Sequence, residues 1–405
     1  MKLIRVSYAV LVSCTLGHLM HHAYVGVLSP FLPLIQDELQ LTLTEVGIVS
    51  STAAAIMTVS HLAVGYFSDR GWRDIFVPAS ILAAAFAVLL TSFATTFVFL
   101  VVAQSILGLG ASLYHPAAFP ALTDHFPSEE RAKATGVLAI GGLLGSAAIP
   151  VVGVLLLQGL GTWQSSLAVL GVAGFIIFIP ALMLISGESK ACYLNGIGTS
   201  EPDGDTGWSS NFKLLMVVSG LRGVPFQCTA LLMPLYLSVY HGYSIVWAGA
   251  MTSIMMASGL FAEAISGPLS DRMHKRVPLI AISTALMTPF LLLLNLKLEP
   301  LPLLVVLVNL GFWYYWGVPP STALETEVSP KRSRGLAFGL LFSLGAVPGA
   351  ISPMIFGIIG DAWGLQASIL FIAVTTTLAT GAAFFLKETR VCDSFSEGGN
   401  RSREI

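Results

Sequence analysis

A short charged stretch occurs twice in this chain, each time between two long apolar runs. Residues 65–74 read GYFSDRGWRD, and residues 267–276 read GPLSDRMHKR. Small, acidic and basic residues in the same order at two distant places indicate an internal duplication, which constrains the fold more than any single motif. Because apolar runs of about 20 residues flank both copies, the duplication favours a protein built from membrane-spanning helices.

The composition excludes an ordinary soluble domain. Of 405 residues, 55% are hydrophobic and only 10% are charged, with a mean hydropathy of +0.81, whereas soluble domains contain about 25% charged residues. The net charge of −2 gives no indication of a nucleic-acid partner. The four cysteines show no paired spacing, so we expect neither a disulfide framework nor a zinc–cysteine site, and we expect no cofactor.

Twelve apolar stretches are long enough to span a bilayer. The N-terminal run follows Lys2 and Arg5 as a signal peptide does, but it is too long, contains three histidines and lacks a small-residue cleavage site. We therefore interpret it as the first spanning helix. The predicted spans lie near 8–34, 45–67, 75–94, 97–122, 134–158, 163–186, 212–238, 245–267, 277–296, 301–325, 336–359 and 366–387.

The distribution of Lys and Arg predicts the orientation. With the N-terminus inside the cell, eighteen of the twenty basic residues fall in inner segments, Lys297 alone falls in an outer loop, and Arg222 lies within a helix. Cytoplasmic loops are enriched in Lys and Arg. We therefore expect a multi-pass protein of the cell (inner) membrane with both termini in the cytoplasm.

The duplication extends over both halves of the chain. At an offset of about 203 residues Gly108 matches Gly311, and prolines match prolines at two further places (116 with 319, and 150 with 353). Two parallel repeats of this kind are typical of two-bundle transporters. We predict an all-α membrane protein with twelve transmembrane helices in two pseudo-symmetric bundles: an N-terminal six-helix bundle (1–186), a cytoplasmic linker (187–211), a C-terminal six-helix bundle (212–390) and a cytoplasmic tail (391–405).

The repeated stretch resembles the loop motif of the major facilitator superfamily, Gly-x-x-x-Asp-Arg/Lys-x-x-Arg/Lys, and the resemblance extends over essentially the whole chain. The segment Gly-Leu-Gly-Ala-Ser-Leu-Tyr-His-Pro at 108–116 is similar to a signature of the fosmidomycin-resistance branch of drug exporters. The resemblance implies gate residues that stabilise the outward-facing state. These are Asp69, Arg70, Arg73, Asp271, Arg272 and Lys275.

The chain departs from the family pattern at two places, and the second departure leaves the direction of transport open. Many proton-coupled members carry an Arg in helix 4 where this chain has Gln104. The helix 5 motif of antiporters is present only in altered form, because its proline has moved to Pro150.

Polar side chains concentrate on helices 1, 4, 7 and 10, which line the central cavity in the resembled family. His18, His21 and His22 share one side of helix 1, where they either bind substrate and protons or are neutral residues satisfied by neighbouring groups. No acidic or thiol side chain accompanies them, so we expect no metal. On helix 4, Gln104 and His115 lie on one stripe, and His115-Pro116 alternatively shapes a kink.

Arg222 lies near the middle of helix 7, and a buried arginine is suited to binding an anionic group. The alternative is a structural ion pair with Glu263, which either carries a proton or belongs to the inner gate. The candidate proton-coupling residues are thus His22, His115 and Glu263. The remaining candidate substrate-binding residues are Gln227, Asn309, Tyr314 and Trp316.

These observations predict a secondary transporter that works by alternating access and is not an enzyme. The leading hypothesis is proton-coupled export of a small organic compound, anionic or drug-like, by a monomer in the lipid bilayer. The alternatives are proton-coupled uptake of an organic or inorganic anion, and a non-transporting membrane receptor or sensor. No phosphate-binding Gly-x-x-x-x-Gly-Lys-Ser/Thr loop is present to support ATP drive.

Overall fold

All secondary structure in the described part of the chain is helical. The computed structural model describes residues 2–126, 128–186, 208–329 and 339–388. The first half contains α1 Lys2–Val25, α2 Leu32–Glu38, α3 Leu43–Phe67, α4 Arg73–Thr91, α5 Phe97–Ser112, α6 His115–His125, α7 Ser128–Leu160 and α8 Trp163–Ser186. The second half contains α9 Ser210–Val239, α10 Ile245–Met273, α11 Val277–Leu293, α12 Pro300–Trp316, α13 Val318–Val328, α14 Val347–Trp363 and α15 Leu365–Ala383.

These helices form twelve spanning segments, which confirms the predicted fold class. Among the described residues nine stretches are long and apolar enough to cross a membrane. The first of them, Leu43–Thr91, contains both α3 and α4, joined by a π-helical turn at Ser68–Trp72. The shorter α11 and the N-terminal α1 complete the set of twelve.

Polar caps explain where several spans begin. The Thr42 hydroxyl accepts the backbone N–H of Glu45, and the Glu45 carboxylate accepts the N–H of Thr42, so α3 starts with a complete capping box. The hydroxyls of Ser209 and Ser244 cap α9 and α10 in the same way. Each cap satisfies backbone donors that have no partner within the helix.

Proline and glycine divide three of the predicted spans. The first span ends at Val25 rather than near 34, because Pro30 lies in a short 3₁₀ turn, Ser29–Phe31, ahead of α2. The fourth span is broken between α5 and α6 just before Pro116, and the tenth between α12 and α13 at Gly317, just before Pro319. Proline lacks the N–H that would continue the helix.

The two halves pack their broken spans in the same way. Gly108 of α5 lies against the backbone of Ala53 in α3, and a Cβ atom at that glycine would collide with the Ala53 carbonyl. Gly311 of α12 lies against the carbonyl of Met255 in α10 in the equivalent manner. Small residues allow this close approach of spanning helices, and the repeated contact confirms the pseudo-symmetry of the two bundles.

The halves meet at two crossings, α3 with α14 and α7 with α10. At the first, Gly47 faces the Pro353 carbonyl, and the Ser51 hydroxyl accepts the N–H of Met354 at 2.9 Å. At the second, Gly249 faces the Pro150 carbonyl, and the hydroxyl of Ser253 accepts the N–H of Val151, also at 2.9 Å. Each serine therefore binds the amide that follows a helix-distorting proline on the opposite half.

The halves also touch near the end of the molecule that we predict to be outer. There the Asp361 carboxylate, at the end of α14, accepts the backbone N–H groups of Leu43 and Thr44 at 2.9 and 2.8 Å. These amides belong to the first turn of α3, where donors are free and negative charge is favoured. The Ser29 hydroxyl adds a bond to the Ala230 carbonyl of α9.

The predicted domain boundaries stay predictions. Most of the linker (187–211) and the whole tail (391–405) lie outside the described residues.

Candidate functional site

A cluster of histidines occupies the centre of the N-terminal half. Nδ1 of His18 is 2.7 Å from the Leu138 carbonyl, and since a carbonyl only accepts, this nitrogen carries the hydrogen. Nε2 of His18 is 3.1 Å from Nε2 of His22. The ring of His115, at the break between α5 and α6, lies 5.5 Å from His18 and 4.4 Å from His21, centroid to centroid. The structure thus brings all four predicted histidines together.

Further ring-bearing residues complete this cluster, and the sequence reasoning did not identify them. His61 of α3 lies 6.3 Å from His115. Phe342, at the start of the eleventh span in the other half, stacks on His115 at 6.3 Å. His61 was detectable in principle, as a histidine in the middle of an apolar run; Phe342 carries no such signal.

Tyr114 supports the cluster from within the break. Its ring is fully buried and stacks on His18 at 5.4 Å and on His21 at 5.3 Å. Its hydroxyl donates to the Cys14 carbonyl of α1 at 2.6 Å. Gly17 faces the same ring, and a Cβ atom there would come within 2.7 Å of it. The broken fourth span is therefore tied to the helix that carries the histidines.

Gly142 of α7 allows the fifth span to approach the histidines. A Cβ atom at Gly142 would lie 2.6 Å from the His18 ring and 2.8 Å from the His22 ring. The altered antiporter motif thus has a definite role here, since it provides the glycine against which two imidazoles pack. Gln104 of α5 is buried, and its Nε2 atom has no hydrogen-bond partner.

Arg222 occupies the corresponding place in the C-terminal half. Its guanidinium donates to the carbonyls of Gly317 and Tyr314, at 3.2 and 3.4 Å, and to the hydroxyl of Ser321. All three acceptors lie at the break between α12 and α13. The side chain is buried, and its Nε atom has no partner.

The predicted alternative of an ion pair between Arg222 and Glu263 does not occur, since no ion pair within 4.0 Å involves Arg222 among the described residues. Glu263 instead lies half-buried on α10, close enough to Tyr314 and Tyr315 for electrostatic interaction. The carboxylate that accompanies Arg222 is Glu325 of α13, which accepts a hydrogen bond of 3.0 Å from the Ser219 hydroxyl. The sequence reasoning did not single out Glu325, because it lies at the edge of its span.

The four aromatic residues 313–316 lie at the end of α12. Because successive residues of a helix face different sides, these rings have different surroundings. Tyr314 stacks on Phe226 of α9 at 4.6 Å and lines a narrow apolar cavity. Trp316 packs on Trp313 at 5.6 Å, and its indole nitrogen is buried without a partner. The surroundings of the other two substrate-binding candidates, Gln227 and Asn309, are less informative.

Asn309 donates to the Val305 carbonyl of its own helix, and Gln227 is half-buried on α9. Neither contact indicates a substrate, so both assignments stay predictions.

The predicted gate residues form local contacts. Asp69 pairs with Arg73 at 2.9 Å, and Arg70 stacks on the Tyr66 ring. In the second copy Asp271 pairs with Arg276, at 2.9 Å, while Arg272 and Lys275 are exposed.

Arg276 also contacts Glu327 at 3.2 Å and donates to the Ser270 hydroxyl. Arg276 therefore forms both ion pairs described for the second copy, although it was not among the predicted gate residues. The gate role stays a prediction.

The fold and these buried polar centres are those of a membrane transporter. The chain belongs to the Major Facilitator Superfamily, whose sequence model matches residues 14–191 and 215–402. Its relatives are transporters rather than enzymes, which confirms the predicted class of protein and its multi-pass membrane location.

Three relatives illustrate the similarity. The chain is 24% identical to an uncharacterized MFS-type transporter, YfnC, of Bacillus subtilis, covering 92% of this chain and 91% of that protein. It is 24% identical to the probable sulfoacetate transporter SauU of Cupriavidus necator, with the same coverage. It is 21% identical to the fosmidomycin resistance protein of Escherichia coli, over 88% and 87% of the two chains.

A solved structure shows the same fold. The inward-facing, occupied form of a bacterial homolog of the human lysosomal transporter Spinster superposes with a TM-score of 0.76 at 16% identity, covering 93% of this chain and 95% of that one.

Proposed function

We propose that this protein exports a small organic anion in exchange for protons, with Arg222 as the anion-binding group. The observation that carries the proposal is the buried guanidinium on α9 with one unpartnered nitrogen. A charge inside a membrane protein is costly and is retained mainly where it binds or moves something. A guanidinium is permanently charged and matches carboxylate, sulfonate and phosphonate groups with two parallel hydrogen bonds.

The setting of Arg222 supports binding rather than packing. Its neutral partners at the break hold the side chain in place but leave its charge uncompensated by any ion pair among the described residues. Glu325 is nearby without contacting it. An incoming anion would supply the missing charge, and the relatives named for sulfoacetate and fosmidomycin are consistent with acidic cargo.

The histidine cluster is the proposed proton carrier. An imidazole in water changes charge near neutral pH, so a group of imidazoles in one cavity can take up and release a proton during the cycle. His22 and His115 are half-buried and are therefore more accessible than the buried His18 and His21. Glu263 of α10, which lies close to Tyr314 and Tyr315, is a second proposed proton site.

Two contacts connect the histidine cluster with the C-terminal half. Gly142 touches the histidines, and the next residue, Leu143, belongs to an apolar cluster with Tyr315 of the other half. His115 meets Phe342 across the same gap. A change of charge on the histidines would therefore alter contacts at the interface where the two halves separate during alternating access.

Transport into inverted vesicles tests the proposal. Sulfoacetate and fosmidomycin uptake would be measured with and without an imposed pH gradient, for wild type and for Arg222→Gln. Lys297→Gln is the matched control, because it removes a cation from a predicted outer loop. We expect gradient-dependent accumulation that Arg222→Gln abolishes and Lys297→Gln preserves. Accumulation in right-side-out vesicles instead would reverse the direction, and equal activity of both variants would remove Arg222 from the site.

We further propose that the two halves are independent bundles joined by the cytoplasmic linker, that both termini face the cytoplasm, and that the monomer is the working unit. The basic residues of the inner segments support this orientation. Labelling with an impermeant maleimide in intact cells tests the orientation. Of two single cysteines, one placed at 200 and one at 297, only the second should react.

A further inference from the structure

Three of the clustered histidines are arranged as ligands of one metal ion. One ring nitrogen from each of His18, His22 and His115 can be chosen so that all three lie within 4.8 Å of one another. We propose that these residues form a binding site for a transition-metal dication of the Zn²⁺ type. The sequence alone did not predict a metal site, because it does not show that α6 brings a third imidazole to the pair on α1.

The geometry of the α1 pair fits such an ion. Zinc binds imidazole nitrogen at about 2.0–2.1 Å, so two ligands of a tetrahedral site lie roughly 3.3 Å apart. The Nε2 atoms of His18 and His22 are 3.1 Å apart. The ion would take the place of the hydrogen between these two nitrogens, and that hydrogen would move to Nδ1 of His22 as the ring changes tautomer. His115 completes the triad by side-chain rotation over a short distance.

The surroundings of His18 are those of a metal ligand. Its Nδ1–H donates to the Leu138 carbonyl at 2.7 Å, which fixes the tautomer and leaves the Nε2 lone pair directed at the site. Histidines that bind metals almost always donate their second nitrogen to a carbonyl or carboxylate in this way. Gly142 and Tyr114 hold the ring from two sides.

The site has an entrance and an open position. His18 is buried, whereas His22 and His115 are half-buried, so the ion would enter past these two rings. Three protein ligands leave a fourth tetrahedral position, as in zinc sites that bind water or a further ligand. Imidazole nitrogens favour Zn²⁺, Cu²⁺ and Ni²⁺ over Mg²⁺ and Ca²⁺, which prefer oxygen.

The test is a direct binding measurement that needs neither substrate nor gradient, so its failure is separate from a failure of the transport proposal. Purified full-length protein without a polyhistidine tag would be titrated with Zn²⁺ by calorimetry, with Mg²⁺ as the reference ion. We expect one Zn²⁺ per chain. His18→Gln, His22→Gln and His115→Gln should each weaken binding more than about 100-fold, because losing a supporting partner alone costs about 10- to 100-fold.

His21→Gln is the matched control. His21 neighbours His22 in sequence and lies 4.4 Å from His115, centroid to centroid, but is outside the triad. It should retain Zn²⁺ affinity within about threefold, a change well below that of a lost partner. Monodisperse elution and an unchanged melting temperature would establish that each variant is folded. An Asn substitution at the same position would replace any variant that is not folded. Absence of Zn²⁺ binding by wild type, or an equal loss in His21→Gln, would overturn the proposal.

Discussion

The two halves use different chemistry at the same structural position. Tyr114 and Gly317 occupy equivalent places at the breaks of the fourth and tenth spans. In the N-terminal half the break is surrounded by imidazoles, a type of group that can gain a proton near neutral pH. In the C-terminal half the break is bound by Arg222, which is always charged. Duplication thus preserved a backbone discontinuity, and each copy acquired its own polar partner.

This difference suggests a division of labour. A permanent cation is suited to holding an anion throughout the cycle, whereas titratable groups are suited to changing state within it. The comparison predicts that variants at the two breaks fail in different ways.

The largest effect is expected from Arg222→Gln. The variant keeps a polar side chain at the break but loses the charge that would bind the anion, so exchange and accumulation should both fall by at least about 100-fold at every pH, since hydrogen bonds to charged groups contribute about 1.5–3 kcal/mol each. Radiolabelled substrate counterflow at several pH values measures this loss. Recovery of transport at one particular pH would contradict the assignment of a permanent charge.

A smaller and different effect is expected from the double variant His22→Gln and His115→Gln. Loss of the proton carriers should cut gradient-driven accumulation about tenfold or more. This is below the roughly 100- to 10,000-fold contribution of proton-transfer groups in enzymes, because Glu263 remains as a second proposed proton site. Substrate counterflow without a gradient should stay within a few-fold of wild type, because Arg222 is intact. Both assays would be run on the same proteoliposomes. If counterflow and accumulation fell together, the histidines would belong to the substrate site instead.

Adding one methyl group beside the histidine cluster and one beside Arg222 tests the packing. Gly142→Ala would press on His18 and His22, and Gly317→Ala on Arg222 and Ser283. Each should destabilise the protein by about 1–3 kcal/mol, the usual range for overpacking. Gly136→Ala on α7 is the control, because no atom lies within 4 Å of its added Cβ. Thermal unfolding in detergent compares the three, and a Gly142→Ala protein as stable as the control would show that the histidines are loosely held.

The smallest effects are expected where the halves are alike. Ser51→Ala and Ser253→Ala each remove the acceptor of one amide at a crossing. Hydrogen bonds between spanning helices contribute about 0.6 kcal/mol on average, so both variants should lose stability by similar small amounts. Melting temperatures of the two variants and of the double variant test this. A loss confined to one crossing would show that the symmetry is geometrical but not energetic.

Long apolar runs, charge asymmetry and repeated prolines were enough to predict the twelve spans, because these signals are local. The break beside Pro116 was accessible for the same reason. The placement of His61, Phe342 and Glu325 was not, since each depends on neighbours distant in the chain. The alternative of an ion pair between Arg222 and Glu263 is not found among the described residues, because the guanidinium binds carbonyls at the tenth-span break. A sequence does not show which carbonyls are free.

The serine bonds at the two crossings have a mechanical consequence. Gly47 with Ser51 and Gly249 with Ser253 are points of close approach between the halves, and at each crossing the serine hydroxyl accepts a backbone amide of the other half. Parting either crossing would remove this bond together with the close glycine packing around it, so separation costs more than the loss of the bond alone. We therefore expect the two crossings to stay formed during alternating access, so that the halves would turn about the line through Ser51 and Ser253.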